Sequence, residues 1–288
     1  MTALAAIAEA RRRTRKRPLG RHLSILGWCA AAVLAVVALL AIFGPLLVTV
    51  DPNAVDLSGA YSGPSPEHLL GQDASGRDLF SRLLSGASTS LVGPLLVVVA
   101  STVLGTALAL SAVWIGGWFD SAIARVIDAV FAFPGLLLAI LATSIFGTGL
   151  QAAVIALSIS YTPYIARIVR GAALRERSLP YVAALRVQGL RGTSISLRHI
   201  LPNIAGLISA NATLSFGFAL IDLAALSFIG LGVQAPTADW GAMIGSGMAG
   251  ILQLEPQEAL WASLLIVITV AAANSLGDEL VKRSENRS

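Results

Sequence analysis

Lysine is nearly missing from this chain: Lys16 and Lys282, each near a terminus, stand beside 18 arginines. The phosphate-cradling pattern GxxxxGK[ST] needs a lysine behind a glycine-rich turn, so the chain cannot bind ATP by that route. Cysteine is a single residue, Cys29, inside an apolar run, which excludes a disulfide framework. The three histidines, His22, His68 and His199, fall in separate segments, and no metal-ligand spacing joins them to Cys29. No cofactor and no metal are therefore expected in this chain. An intramembrane serine protease would need a serine facing a histidine or lysine at membrane depth. Ser246, in Gly245-Ser246-Gly247, is the best serine for that role and has no histidine near it in sequence. Charge is also scarce, at 12% of residues against 56% apolar, far from the balance of a soluble domain.

What is present are apolar runs of about 20 residues or more, the length that crosses a bilayer core. Six spans are expected, at 23–50, 89–114, 122–146, 150–169, 203–229 and 257–276. The first is too long for the apolar part of a signal peptide and no small-residue cleavage site follows it, so it counts as a span. Pro134-Gly135 should kink the third span and Thr162-Pro163 should break the fourth. Arg125 and Asp128 near the start of the third are placed to pair. Phe146 to Gly149 reads as a tight turn, and so does Leu84 to Ala87. The stretch from Asp78 to Leu84 reads as a short amphipathic helix on the membrane surface. The chain thus divides into a basic tail (1–22), a first helix (23–50), a polar loop (51–88), a five-helix core (89–277) with a long loop at 170–202, and a second tail (278–288).

Charge fixes an expected orientation. Residues 1–22 carry six arginines and Lys16 against one acid, Glu9. Such a tail can be a solvated arm or a nucleic-acid contact, but an apolar run directly behind it reads as an orientation signal. Under six spans, eighteen basic residues fall on the side of both termini, and only Arg77 and Arg82 fall on the other. Arginine and lysine favour the cytoplasmic side, so both termini are expected there. Nucleic acid is not an expected partner.

The most informative stretch runs from Tyr161 to Asn203, with seven arginines and one acid, Glu176. Its charge makes it an excursion into water between two spans. Its centre, residues 179–190, is nevertheless apolar around most of a helical wheel, broken by Arg186 and Gln188. Ser178 is placed to cap this helix, Pro180 suits its first turn and Gly189 its end. A short apolar helix on the water side of a membrane needs a protein surface to cover it, so it is expected to dock a partner. One ionisable residue sits well inside a span: Asp222, in Phe218-Ala219-Leu220-Ile221-Asp222. Either it faces a bundle interior, a pathway or a second membrane subunit, or the span ends early and it is interfacial.

Residues 181–203 resemble the coupling loop of binding-protein-dependent ABC importer permeases. Ala183-Ala184-Leu185 stands at the family's Glu-Ala-Ala, Gly189 is its glycine, and His199-Ile200-Leu201-Pro202 fills the closing element at the family's spacing. Three further stretches resemble the second permease of dipeptide, oligopeptide and nickel importers. They are the run from His68 through Gly71-Gln72-Asp73 and Gly76-Arg77-Asp78 to Leu84, the run from Leu226 through Gly230 and Gly232 to Gly241, and Asn274-Ser275-Leu276-Gly277-Asp278. The similarity covers about residues 20–280, in order.

The resemblance implies an all-α polytopic protein of the bacterial inner membrane, with the type I importer permease fold and both termini inside. It implies a non-catalytic subunit that works with a sister permease, one or two cytoplasmic ATPase subunits holding ATP and Mg, and an extracytoplasmic solute-binding protein. Leu179, Pro180, Tyr181, Val182, Ala183, Ala184, Leu185, Arg186 and Gly189 would form the ATPase-coupling helix. Asp222 would be a pathway or subunit contact, near where the family often has glutamate. Peptides are the expected substrate, with nickel or another small solute as the alternative. Ala183 replaces the family glutamate, so docking is expected to rest on apolar packing plus Arg186. A self-contained secondary transporter is the other class, but such proteins show internal repeats, and none is visible here.

Overall fold

The computed structural model describes residues 23–48 and 50–285. The basic tail and its orienting arginines, and Arg287 at the other end, lie outside the described residues. Apolar runs with few charges satisfy their backbone groups most simply as helices, the geometry a bilayer demands. In chain order these are α1 (Ile25–Leu47), α2 (Leu79–Ile115), α3 (Gly117–Phe131), α4 (Gly135–Phe146), α5 (Leu150–Arg177), α6 (Pro180–Val187), α7 (Gly192–Phe228), α8 (Trp240–Leu252) and α9 (Gln257–Glu285). Among the described residues no strand forms, only an isolated bridge between Gln72 and Asp78. Five helices, α1, α2, α5, α7 and α9, are long and apolar enough to cross a membrane, and the count reaches six if the bent pair α3–α4 is one span.

Several boundaries differ from the sequence reading, each for a local reason. Asp78 to Leu84 is no separate surface helix: Asp78 caps α2, whose first turns bury Leu79, Arg82 and Leu83. The expected turn at Leu84 to Ala87 lies inside that same helix. The third span does bend at Pro134, but into two helices 84° apart. The fourth is not broken at Pro163; α5 runs through it, and Thr162 Oγ1 donates to the Ser158 carbonyl at 2.7 Å one turn earlier. A neighbouring helix covers this point. Gly105 lets α2 come so close that a Cβ there would stand 2.9 Å from both the Ile165 Cβ and the Thr162 carbonyl. The fifth begins at Gly192, not 203, and includes a π turn over Ser196–Ile200. That turn sits directly before Pro202, whose missing N–H interrupts the α ladder.

Three apolar clusters hold the bundle. One joins α2, α5, α6 and the start of α7 through Val113, Ile165, Val169, Val182, Ile195 and Ile200. A second, through Val37, Leu79, Leu83, Trp240, Met243 and Ile266, joins α1, α2, α8 and α9 at the opposite end. The third lies between them and brings Val97, Ala139, Leu157, Ala219 and Leu226 together. The molecule therefore has an arginine-rich end, around α6, and an opposite end built around the 51–78 loop.

Candidate coupling helix and the two polar ends

At the arginine-rich end α5 continues to Arg177, and Ser178 closes it by donating to the Arg175 carbonyl at 2.7 Å. Ser178 is thus no cap for α6. Leu179 holds the cap position without a side-chain bond, and Pro180 opens the helix as expected. The end follows a Schellman pattern: the Gly189 N–H reaches the Arg186 carbonyl at 2.9 Å and the Leu190 N–H reaches Leu185 at 3.2 Å. Gly189 has φ +81°, which a residue with a Cβ adopts only under strain.

Part of the surface that covers this apolar helix is the chain's own. Val182 is 0% exposed, and Tyr181 and Leu185 pack partly buried beside it on the chain's own core. The other side carries Leu179, Pro180, Ala183, Ala184 and Val187, all exposed, Val187 at 90%. Arg186 is exposed as well, but its guanidinium lies 4.9 Å from the Trp114 ring centroid, within the chain. An apolar strip of α6 is thus left uncovered by the chain, while Arg186 is engaged within it.

Contacts that join distant segments hold this helix in place, and sequence reasoning missed them. Glu176 accepts hydrogen bonds from the Tyr181 hydroxyl (2.8 Å) and the Asn203 side-chain amide (2.7 Å), linking α5, α6 and α7. Burial, and then the Glu176 carboxylate, push the Tyr181 phenol up to about 12, so it remains a donor. Trp114, at the end of α2, packs against Gly192, where a Cβ would stand 1.6 Å from the ring. Arg177 adds a second cation over Trp114, 5.4 Å from the centroid, and donates to the Val113 carbonyl. Arg170 grips Asp120 with two bonds of 2.6 Å. Asp128 pairs with Arg167 at 2.6 Å rather than with the expected Arg125. The one legible signal was Glu176 itself, a single acid among seven arginines.

Asp222 lies inside α7, half-buried, and accepts a hydrogen bond from the Tyr161 hydroxyl of α5 at 2.8 Å. Nearer the arginine-rich end, the Tyr164 hydroxyl donates to Asn211 at 3.3 Å. Two tyrosines thus bridge α5 to polar groups of α7, and the carboxylate of Asp222 has a partner within the chain.

The opposite end is tightly cross-linked. The Asp73 carboxylate, 1% exposed, accepts from the N–H groups of Ser75 (2.8 Å) and Arg77 (2.9 Å) and from Arg77 Nε (2.6 Å). Asp78 accepts from the Ser81 N–H at 2.7 Å, capping α2, and lies 3.1 Å from His68 Nδ1. Arg82 donates to the carbonyls of Pro52 (3.1 Å) and Pro236 (3.5 Å), tying two loops to α2. Ser90 donates to Asp239 at 2.7 Å and accepts from the Trp240 N–H at 2.8 Å, fixing the start of α8. Ser246 donates to Glu258 at 2.6 Å, so its hydroxyl faces an acceptor and not a histidine base. No group of three metal-ligating side chains occurs among the described residues.

Helices long and apolar enough to cross a membrane, an exposed apolar strip on a short helix at one end and a cross-linked polar end opposite describe a helical membrane bundle. Comparison with known proteins places it: residues 101–288 match the family described as binding-protein-dependent transport system inner membrane component, and the chain belongs to that family. It is a multi-pass membrane protein of bacteria and a non-catalytic permease subunit. It is 37% identical to the dipeptide transport system permease protein DppC of Alkalihalophilus pseudofirmus, over 84% of this chain and 79% of that protein. It is 38% identical to the glutathione transport system permease protein GsiD of Pectobacterium atrosepticum, over 92% of this chain and 87% of that one. The fold is similar to a chain of the MetNI methionine ABC transporter, with a TM-score of 0.57 at 19% identity, covering 70% of this chain and 96% of that chain.

Proposed function

We propose that this chain is one of two membrane-spanning subunits of an ATP-driven importer for peptides, and that α6 is its coupling helix. Both termini and α6 face the cytoplasm, as the bias of arginine to one end requires. A sister permease completes the pathway, one or two ATPase subunits bind ATP and Mg, and an extracytoplasmic binding protein delivers the solute. The peptide assignment rests on the names of the relatives, a dipeptide and a glutathione permease. The observation that carries the reading is the apolar strip of Leu179, Pro180, Ala183, Ala184 and Val187, exposed on a helix whose other face is anchored. With alanine at 183, that strip docks by packing rather than by a charged contact.

Closure of the ATPases displaces α6, and the Glu176–Tyr181–Asn203 contact passes the displacement to α5 and α7 together. Interfaces of this kind move as rigid bodies between discrete arrangements. Asp222, between those two helices, is placed to meet the pathway or the sister subunit when they shift.

Val187→Glu tests the docking surface, since it adds a charge to a side chain that touches little of its own chain. The expected result is loss of ATPase co-purification, with the chain still inserted and its thermal stability unchanged. Gly189→Pro, which deletes the N–H that closes α6 and cannot hold its φ of +81°, should also lose co-purification, with the chain still inserted but the end of α6 destabilised. Unchanged co-purification in both variants would refute the assignment.

A further inference from the structure

Between the start of α2, residues 228–237 and α8 lies a cavity of about 200 Å³ at the end opposite α6. Arg77 and Arg82 line it, together with Phe228, Gln234, Thr237 and Ser246. Arg82 is 3% exposed, yet its Nε has no hydrogen-bond partner among the described residues, the Asp73 carboxylate being 3.7 Å away. Arg77 spends its Nε on Asp73, and its two terminal nitrogens make no hydrogen bond among the described residues. Asp73 is thus the one carboxylate in ion-pair reach of both guanidinium groups among the described residues. Glu258, another buried acid, accepts from Ser246 and stands close enough to both arginines to feel their charge, without an ion pair to either among the described residues.

We propose that this cavity binds the C-terminal carboxylate of a peptide on its way into the translocation pathway. A guanidinium is a planar fork of donors whose natural partner is a carboxylate, and here unused donors from two of them border one space. Burying the Arg82 Nε without a partner is costly, and a visiting carboxylate would engage it together with the free terminal donors of Arg77. The cavity is smaller than the roughly 300–1,000 Å³ of sites that enclose a whole drug-sized ligand. It fits a terminal residue, with Phe228 and Val233 offering apolar wall to its side chain. Arg82 also braces two loops, but bracing does not require Arg77 beside it with its terminal donors free. This inference rests on the peptide-importer reading and on the end opposite α6 being the outer one.

The test is saturation-transfer NMR on the assembled membrane complex in nanodiscs, without the binding protein, using Ala-Ala and its C-terminal amide. The acid should give a signal and the amide one about tenfold weaker, the loss expected for one charge-assisted hydrogen-bonded pair. Arg77→Gln should lower the acid's signal by a similar factor. Because that variant disturbs the Asp73 turn, Thr237→Trp is the companion: Thr237 is exposed at the cavity wall, and the indole fills the space with both arginines intact. Equal signals from acid and amide, or an unchanged acid signal in Thr237→Trp, would overturn the proposal. Uptake of Ala-Ala by the complete importer, run alongside, separates the two readings. Absent uptake of Ala-Ala sinks the peptide reading, whereas uptake without acid–amide discrimination sinks only the carboxylate pocket.

Discussion

Gly76 and Gly189 sit at opposite ends of the bundle, and both hold the left-handed backbone, with φ of +71° and +81°. Around Gly76 there is no room. A Cβ would stand 1.7 Å from the Asp56 carbonyl, because the 51–78 loop folds back over the turn that Asp73 organises. A Cβ on Gly189 would point into open space, with nothing beyond its own turn within 4 Å. The first glycine is demanded by packing and the second by backbone conformation alone, beside a surface that its own chain leaves open. One end is closely packed on itself, and the other leaves an apolar strip exposed. The same residue type, at nearly the same φ, thus marks an internal contact at one end and, at the other, the surface proposed to dock a partner.

Alanine at each position breaks that comparison most sharply. Gly76→Ala combines left-handed strain of roughly 1–2 kcal/mol with displacement of a backbone carbonyl, and should cost on the order of 3 kcal/mol. Gly189→Ala carries the strain term only, about 1 kcal/mol, confined to the end of α6. Thermal unfolding of the purified chain in detergent should therefore show a clear loss for Gly76→Ala and a small one for Gly189→Ala. ATPase co-purification should weaken only in the second. Equal destabilisation by the two would mean that the 51–78 loop does not press on Gly76 in solution.

The two ends were also unequally legible from sequence. The apolar runs gave the spans, because hydrocarbon accepts little else, and Pro180 and Gly189 marked the ends of α6 correctly from local backbone chemistry. The turn at Gly76 and the acids around it were visible as a motif, but their purpose was not. Asp73 and Arg77 lie only four residues apart, whereas Arg82 reaches Pro236 across 154 positions. Periodicity carries no information on such closures. Misplaced boundaries share one cause, since Pro163 and Ser178 were read through their local propensities while tertiary packing and the neighbouring helix end decided their roles. Docking by 179–190 was inferred from an apolar wheel, and only the fold separates the anchored face, through Val182, from the free one, through Val187. The clamp from Glu176 to Tyr181 and Asn203 needed three helices in place before it existed.

Tyr181→Phe sharpens the comparison from the arginine-rich end. It removes the hydroxyl that ties α6 to Glu176 and leaves the Asn203 bond to Glu176 intact. A bond to a charged acceptor at a half-buried site is worth roughly 1–2 kcal/mol, so global stability should fall modestly. The larger effect should fall on coupling: the docking strip is untouched, so the ATPases stay bound, but ATP hydrolysis per solute transported rises several-fold as α6 moves without α5 and α7. Restored coupling is not expected in a Tyr181→Leu chain, which keeps bulk but not the hydroxyl. Normal stoichiometry in Tyr181→Phe would show that motion passes through the apolar face of α6 instead, through Val182 and Leu185.

The smallest effect is expected at Ser58, on the exposed side of the 51–78 loop. The Ser58 hydroxyl donates to Asp56 at 2.5 Å and its N–H does so at 3.1 Å. These bonds, the hydroxyl first, hold the Asp56 carboxyl below its usual range. A carboxyl depressed in the folded state adds stability above its unfolded value, and that contribution is lost as pH falls through the folded one. Ser58→Ala should therefore lower the melting temperature slightly at pH 7, and the gap from the parent chain should close as pH drops below the carboxylate range. Because Asp56 is solvent-exposed, the effect is screened and should shrink further at high salt. A gap that persisted at acid pH would mean that Ser58 supports the loop through its shape, placing even this outermost turn among the packed contacts that surround Gly76.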